Sequence, residues 1–127
     1  MSQFKDWLIL VVEDELDGQE VVSGILSYMN IRSEAVVTAE EALKRLQQHA
    51  YTGVVIDLAL PGMNGWSLLS AIRSDPKTAH LPCVAMTAYH SSAVRQEAIQ
   101  AGFNAYFPKP LDDTVFLREL THVIEQV

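Results

Sequence analysis

Val54-Val55-Ile56-Asp57 is a short apolar run that closes on a carboxylate, and Leu58-Ala59-Leu60-Pro61-Gly62-Met63-Asn64-Gly65 follows it as a breaker-rich loop. An amphipathic stretch then resumes to Ser74, with Leu68, Leu69 and Ile72 at helical spacing. A buried strand, a loop and a helix is the reading, and the same alternation extends in both directions. The other apolar runs are Trp7–Val12, Ala35–Val37, Cys83–Met86 and Ala105–Phe107. They are short and mostly rich in Val and Ile, as expected of strands covered on both faces. Helical patterns separate them. Val21, Val22, Ile25, Leu26 and Met29 mark one between Asp17 and Met29. Thr38-x-x-Glu41 is a capping-box signature ahead of Ala42, Leu43 and Leu46. Ser92–Ala101 stops at Gly102, and Asp112 can cap a last helix carrying Phe116, Leu117, Leu120, Ile124 and Val127. Strict alternation implies parallel strands, right-handed crossovers and helices on both sheet faces.

Composition narrows the functions. The 127 residues fit one domain, residues 1–127, and a net charge of −7 argues against direct nucleic-acid binding. With 49% hydrophobic and 20% charged residues, the chain reads as globular rather than disordered. Its longest apolar stretch, Trp7–Val12, is far short of the ~20 residues that span a bilayer, so no membrane insertion is expected. The opening residues lack the pattern of a signal peptide, and a single cysteine, Cys83, suits a reducing compartment. A cytoplasmic setting is the expectation. His49, His80, His90 and His122 show no ligand spacing and are expected at the surface, whereas Cys83 is expected to be a buried hydrophobe. Trp66, just past the Gly62–Gly65 loop, reads as a surface or packing residue at a helix start.

In open parallel sheets the site lies beyond the carboxyl ends of the strands, where the winding reverses. The residues there are Glu13-Asp14-Glu15 after the first strand, Asp57 at the third, Thr87-Ala88 at the fourth, and Lys109-Pro110 after the fifth. Carboxylates facing one another repel unless a cation sits between them. An all-oxygen set of this kind suits Mg²⁺, which keeps several waters and accepts a phosphate oxygen. A lysine and a hydroxyl opposite add donors for an anion. Together these make a phosphoryl-transfer site with a carboxylate nucleophile.

At these residues the sequence closely resembles the receiver domain of bacterial two-component response regulators. The matching pieces are Val11-Val12-Glu13-Asp14-Glu15, Val54-Val55-Ile56-Asp57-Leu58, Leu60-Pro61-Gly62-Met63-Asn64-Gly65, Met86-Thr87-Ala88, Ala101-Gly102-Phe103-Asn104-Ala105-Tyr106 and Lys109-Pro110-Leu111. They run in order from Ile9 to near the end, at the family's spacing.

The resemblance implies a doubly wound, flavodoxin-like (βα)5 fold with strand order 2-1-3-4-5. It also implies that Asp57 accepts a phosphoryl group from a sensor histidine kinase or a histidine phosphotransfer protein. Asp14, Asp57 and the backbone carbonyl of Ala59 would ligate Mg²⁺, with Glu13 completing the acidic pocket in an outer-sphere role. Lys109 would pair with Asp57 and then with the phosphate. Thr87 would bind a phosphoryl oxygen, and Tyr106 would turn inward as the second switch residue. A downstream protein would read the face of helix four, strand five and helix five. A cis Lys109–Pro110 bond is implied as well. Ala59 and Tyr89 border the approach of the hydrolytic water, and Tyr89 is expected to shield the phosphoryl group. The sequence departs from the family at Glu13, where Asp is usual, and at Ala59, where many relatives carry a polar side chain. The chain contains no output domain by this reading; it catalyses its own phosphorylation and hydrolysis and is not an enzyme acting on a third molecule.

Three other functions compete. A flavodoxin-like electron carrier needs donors after its first strand, where Glu13-Asp14-Glu15 would repel a flavin phosphate. A haloacid-dehalogenase-type phosphatase needs a second acid two residues after its nucleophile, where Ala59 stands. A phosphorylation-independent pseudo-receiver needs a broken site, and these residues look intact.

Overall fold

The computed structural model describes residues 4–126, along which five strands alternate with five helices. In chain order they are β1 Leu8–Val12, α1 Leu16–Tyr28, β2 Arg32–Val36, α2 Ala39–Gln48 and β3 Gly53–Asp57, followed by α3 Gly65–Ser74, β4 Cys83–Thr87, α4 Ser92–Ala101, β5 Ala105–Pro108 and α5 Asp113–Glu125. The strands form one parallel sheet in the order β2-β1-β3-β4-β5, the doubly wound arrangement expected.

Every residue of β3 and β4 is buried, which is why these strands read as unbroken apolar runs. Alternation within β1 sends Leu10 and Val12 to one side of the sheet and Ile9 and Val11 to the other. The first side is covered by α2, α3 and α4 through residues such as Leu46, Leu69 and Ala98. The second is covered by α1 and α5 through Val22, Leu26, Phe116 and Leu120. Cys83 lies in this interior, where burial pushes its thiol up to about 11.

The helix signals locate the elements well. Thr38 accepts from Glu41 N–H at 3.0 Å, Ser91 from Val94 N–H at 3.1 Å, and Asp112 from Val115 N–H at 3.0 Å. Gly102 ends α4 at φ +116°, a conformation that side chains other than glycine's rarely adopt. Differences fall where burial is partial. β2 is an edge strand with one neighbour, and its polar start at Arg32–Glu34 hides it from an apolar count. Val37, expected within that strand, lies outside it and is 48% exposed. On α1, Val22 and Leu26 are buried but Val21 and Met29 are exposed, so the apolar face is narrower than its spacing suggests. Val127, expected on the face of the last helix, lies outside the described residues. None of the described helices is long and apolar enough to cross a membrane.

Candidate functional site

Strand register places the site. Val12 pairs with Ile56, Asp57 with Met86 and Thr87 with Pro108, so the carboxyl ends of β1, β3, β4 and β5 finish close to level. Glu13 and Asp14 follow β1 directly, Asp57 and Thr87 are the last residues of β3 and β4, and Lys109 follows β5. Lys109 N–H donates to Thr87 O at 2.8 Å, and Leu58 N–H to Met86 O at 3.0 Å, continuing the ladder across the rim. The chain winds to β2 on one side of β1 and to β4 and β5 on the far side of β3, so the crevice opens between β1 and β3.

The acidic residues converge there. One carboxylate oxygen from each of Glu13, Asp14 and Asp57 lies within 4.8 Å of the others. Asp57 is 4% exposed and Glu13 is fully buried, whereas Asp14 opens to solvent. Asp57 Oδ1 accepts from Ala59 N–H at 2.8 Å and Oδ2 from Lys109 Nζ at 2.8 Å. The same ammonium donates to Glu13 Oε1 at 2.6 Å, and Glu13 Oε2 accepts from Glu15 N–H at 3.1 Å. Glu13 is thus a direct partner of Lys109.

These contacts and burial shift the titration of Glu13 and Lys109. Burial is the largest influence on Glu13 and, with the charge of Asp57, holds its carboxyl above the ordinary range against the hydrogen bonds from Lys109 and Glu15 N–H. At Lys109 burial works against the charge, but the hydrogen bonds to Asp57 and Glu13 outweigh it and hold the ammonium above its usual value. One ammonium facing three carboxylates leaves the cluster short of positive charge. Hard oxygen donors at this spacing, one of them open to solvent, fit a small divalent cation such as Mg²⁺.

Around the cluster, Thr87 is 2% exposed and its Oγ1 accepts from Tyr89 N–H at 3.0 Å. Tyr106 is turned inward at 4% exposure. Its hydroxyl lies 2.9 Å from His90 Nδ1, and the Arg95 guanidinium stands 4.9 Å over its ring. Tyr89 is 75% exposed, and Ala59 is exposed too, so in this conformation the ring leaves the site uncovered. The Lys109–Pro110 bond is cis. His49, His80, His90 and His122 are all exposed, but His90 is tied to Tyr106.

Two supports escaped sequence reasoning. His90 and Arg95 carry no ligand spacing, and only folding sets them against Tyr106. Gly65 sits in a motif, yet its work is steric: a Cβ there would meet Asp57 O at 2.6 Å and Leu58 Cα at 2.8 Å. Its absence lets α3 begin hard against the end of β3.

Comparisons with known proteins agree with this geometry. The family model described as response regulator receiver domain matches residues 9–121. The chain is 31% identical over 120 residues to the chemotaxis protein CheY of Pseudomonas aeruginosa, covering 94% of this chain and 97% of that protein. It is 32% identical to the two-component response regulator ORR12 of Oryza sativa subsp. japonica, over 91% of this chain and 96% of that one. Among solved structures, the receiver domain of the sensor histidine kinase PA1611 from P. aeruginosa superposes with a TM-score of 0.85 at 28% identity, covering 94% of this chain and 98% of that one. That structure has a magnesium ion coordinated in its active-site cleft.

Proposed function

The chain belongs to the response regulator receiver family of two-component signalling, and we propose that it works by accepting a phosphoryl group on Asp57 from a histidine kinase or a histidine phosphotransfer protein. The observation that carries this reading is the buried Asp57 carboxylate, held 2.8 Å from Lys109 inside the acidic cluster. A pseudo-receiver would lack one of these groups, and all of them stand at the site.

In the transfer, an Asp57 oxygen forms a bond to phosphorus as the bond from phosphorus to the donor's imidazole nitrogen breaks. The electron pair of that bond leaves with the imidazole. Lys109, held as an ammonium, passes from Asp57 to an oxygen of the incoming group. Thr87 accepts a backbone N–H and keeps its hydroxyl proton to donate to a second oxygen. Asp14, Asp57 and the Ala59 carbonyl would hold Mg²⁺ beside Glu13, and when bound the ion neutralises charge on the phosphoryl oxygens. As Thr87 follows the phosphoryl group, the β4–α4 loop moves with it, and the α4–β5–α5 face presents a changed surface to a target protein. The contacts of Tyr106 with His90 and Arg95 support reading it as the second switch residue.

The test is intact mass after incubation with acetyl phosphate. The parent gains one phosphoryl group in Mg²⁺, and chelator or Asp57→Asn abolishes the gain. Labelling that survives either treatment would overturn the assignment.

A further inference from the structure

The Glu13 carboxylate reaches Lys109 by lying across the first turn of α1. At Gly18 on that turn, a Cβ would overlap Glu13 Oε1 and stand 2.6 Å from its Cδ and 2.9 Å from its Cγ. These three nearest neighbours are all side-chain atoms of one residue, whereas at Gly65 the two nearest are backbone atoms. Gly24, later in the same helix, has nothing within 4 Å of its would-be Cβ, so a missing side chain is not a general need of this helix. The carboxyl end of Glu13 occupies the hollow and is anchored there by Glu15 N–H at 3.1 Å and Lys109 Nζ at 2.6 Å. Glycine is also a poor helix former, so this position carries a cost in helix propensity.

We propose that Gly18 is a positioning residue: the space it leaves is what allows a glutamate at position 13 to lie back against α1 and hold Lys109 beside Asp57. Its consequence for phosphorylation rests on the reading of Asp57 as the phosphoacceptor; the placement of Lys109 does not. A side chain at 18 evicts the Glu13 carboxylate and leaves Lys109 with Asp57 as its remaining partner. An aspartate at 13 is one methylene shorter and does not reach the hollow, so it is indifferent to what stands at 18.

A two-by-two cycle of Gly18→Ala and Glu13→Asp in the full chain tests this. One readout is the rate at which an acetylating reagent modifies Lys109 Nζ at fixed pH without divalent cation, followed by peptide mass. The other is the rate of Asp57 labelling by acetyl phosphate. In the parent background Gly18→Ala raises Lys109 acetylation about fivefold and slows Asp57 labelling about threefold; in the Glu13→Asp background it changes either by less than about twofold. Equal effects in both backgrounds, or none in either, overturn the proposal. Acetylation needs neither phosphodonor nor metal. A parent that takes no phosphoryl group therefore refutes the phosphoacceptor reading while leaving the cycle readable. Thermal unfolding accompanies each variant: if Gly18→Ala fails to fold, a folded Glu13→Asp/Gly18→Ala chain supports the hollow, and failure of both overturns it.

Discussion

At single residues, the site balances a shortage of positive charge against burial. Lys109 serves Glu13 and Asp57 at once, at 2.6 and 2.8 Å. Glu13 makes its contact from just beyond the end of β1. Tyr89 poses a different question, because at 75% exposure its ring must close over Asp57 after phosphorylation if it is to shield the phosphoryl group. Ala59 offers no side chain to hold a bridging water. The expected outcome for Tyr89→Ala is therefore decay of phosphorylated protein at least several-fold faster, roughly 1 kcal/mol of barrier. The measurement is loss of the phosphoryl mass after donor removal at fixed Mg²⁺. An unchanged rate would leave Tyr89 as the solvent-facing residue it is here, and a slower one would mean that its hydroxyl positions the water.

At the scale of elements, the functional motion is confined by what is tied down. Arg73, near the end of α3, donates to Ala79 O at 3.1 Å, Leu81 O at 2.6 Å, Gly102 O at 2.8 Å and Asn104 Oδ1 at 2.9 Å. One guanidinium thus binds the entry to β4 and the entry to β5 at the end of the sheet away from the site. Lysine cannot span these acceptors, so Arg73→Lys should cost about 1–3 kcal/mol in denaturant unfolding while Asp57 labelling persists. The other end of the same elements is the one expected to move. On phosphorylation, amide exchange should change across α4 and at Tyr106 in β5, because the loop after β4 carries both Tyr89, which is bonded to Thr87, and His90, which is bonded to Tyr106. Changes restricted to the neighbourhood of Asp57 would contradict the switch.

For the whole molecule, cation binding at the acidic cluster would be linked to folding. Three carboxylates against one ammonium make the metal-free cluster a site of repulsion, and an unfolded chain disperses it. A cation that binds only the folded state adds about 2.7 kcal/mol at a hundred times its dissociation constant. In a domain of this size that is about 10 °C in Tm. Calorimetry with Mg²⁺ should show the rise, chelator should reverse it, and Asp57→Asn should remove most of it. A Tm indifferent to Mg²⁺ would argue against the site.

Alternation of apolar runs with helical patterns determined the order of elements and the parallel sheet, because local periodicity reports which face of each element is buried. Capping residues placed the helix starts at Thr38 and Asp112, each through a bond closed within three residues, whereas the Ser91 cap of α4 was seen only in the structure. The identities of Glu13, Asp14, Asp57, Thr87 and Lys109 were legible because each closes a strand, and parallel strands bring such residues to one rim. Only tertiary structure decided how these groups share one another. It set the edge strand's polar start at Arg32, the inward seat of Tyr106 against His90 and Arg95, and the exposure of Tyr89. It also turned Glu13 into the hollow at Gly18 and onto Lys109. Those outcomes depend on which distant side chain fills or vacates a given space. Spacing along the chain carries no record of that space until packing creates it.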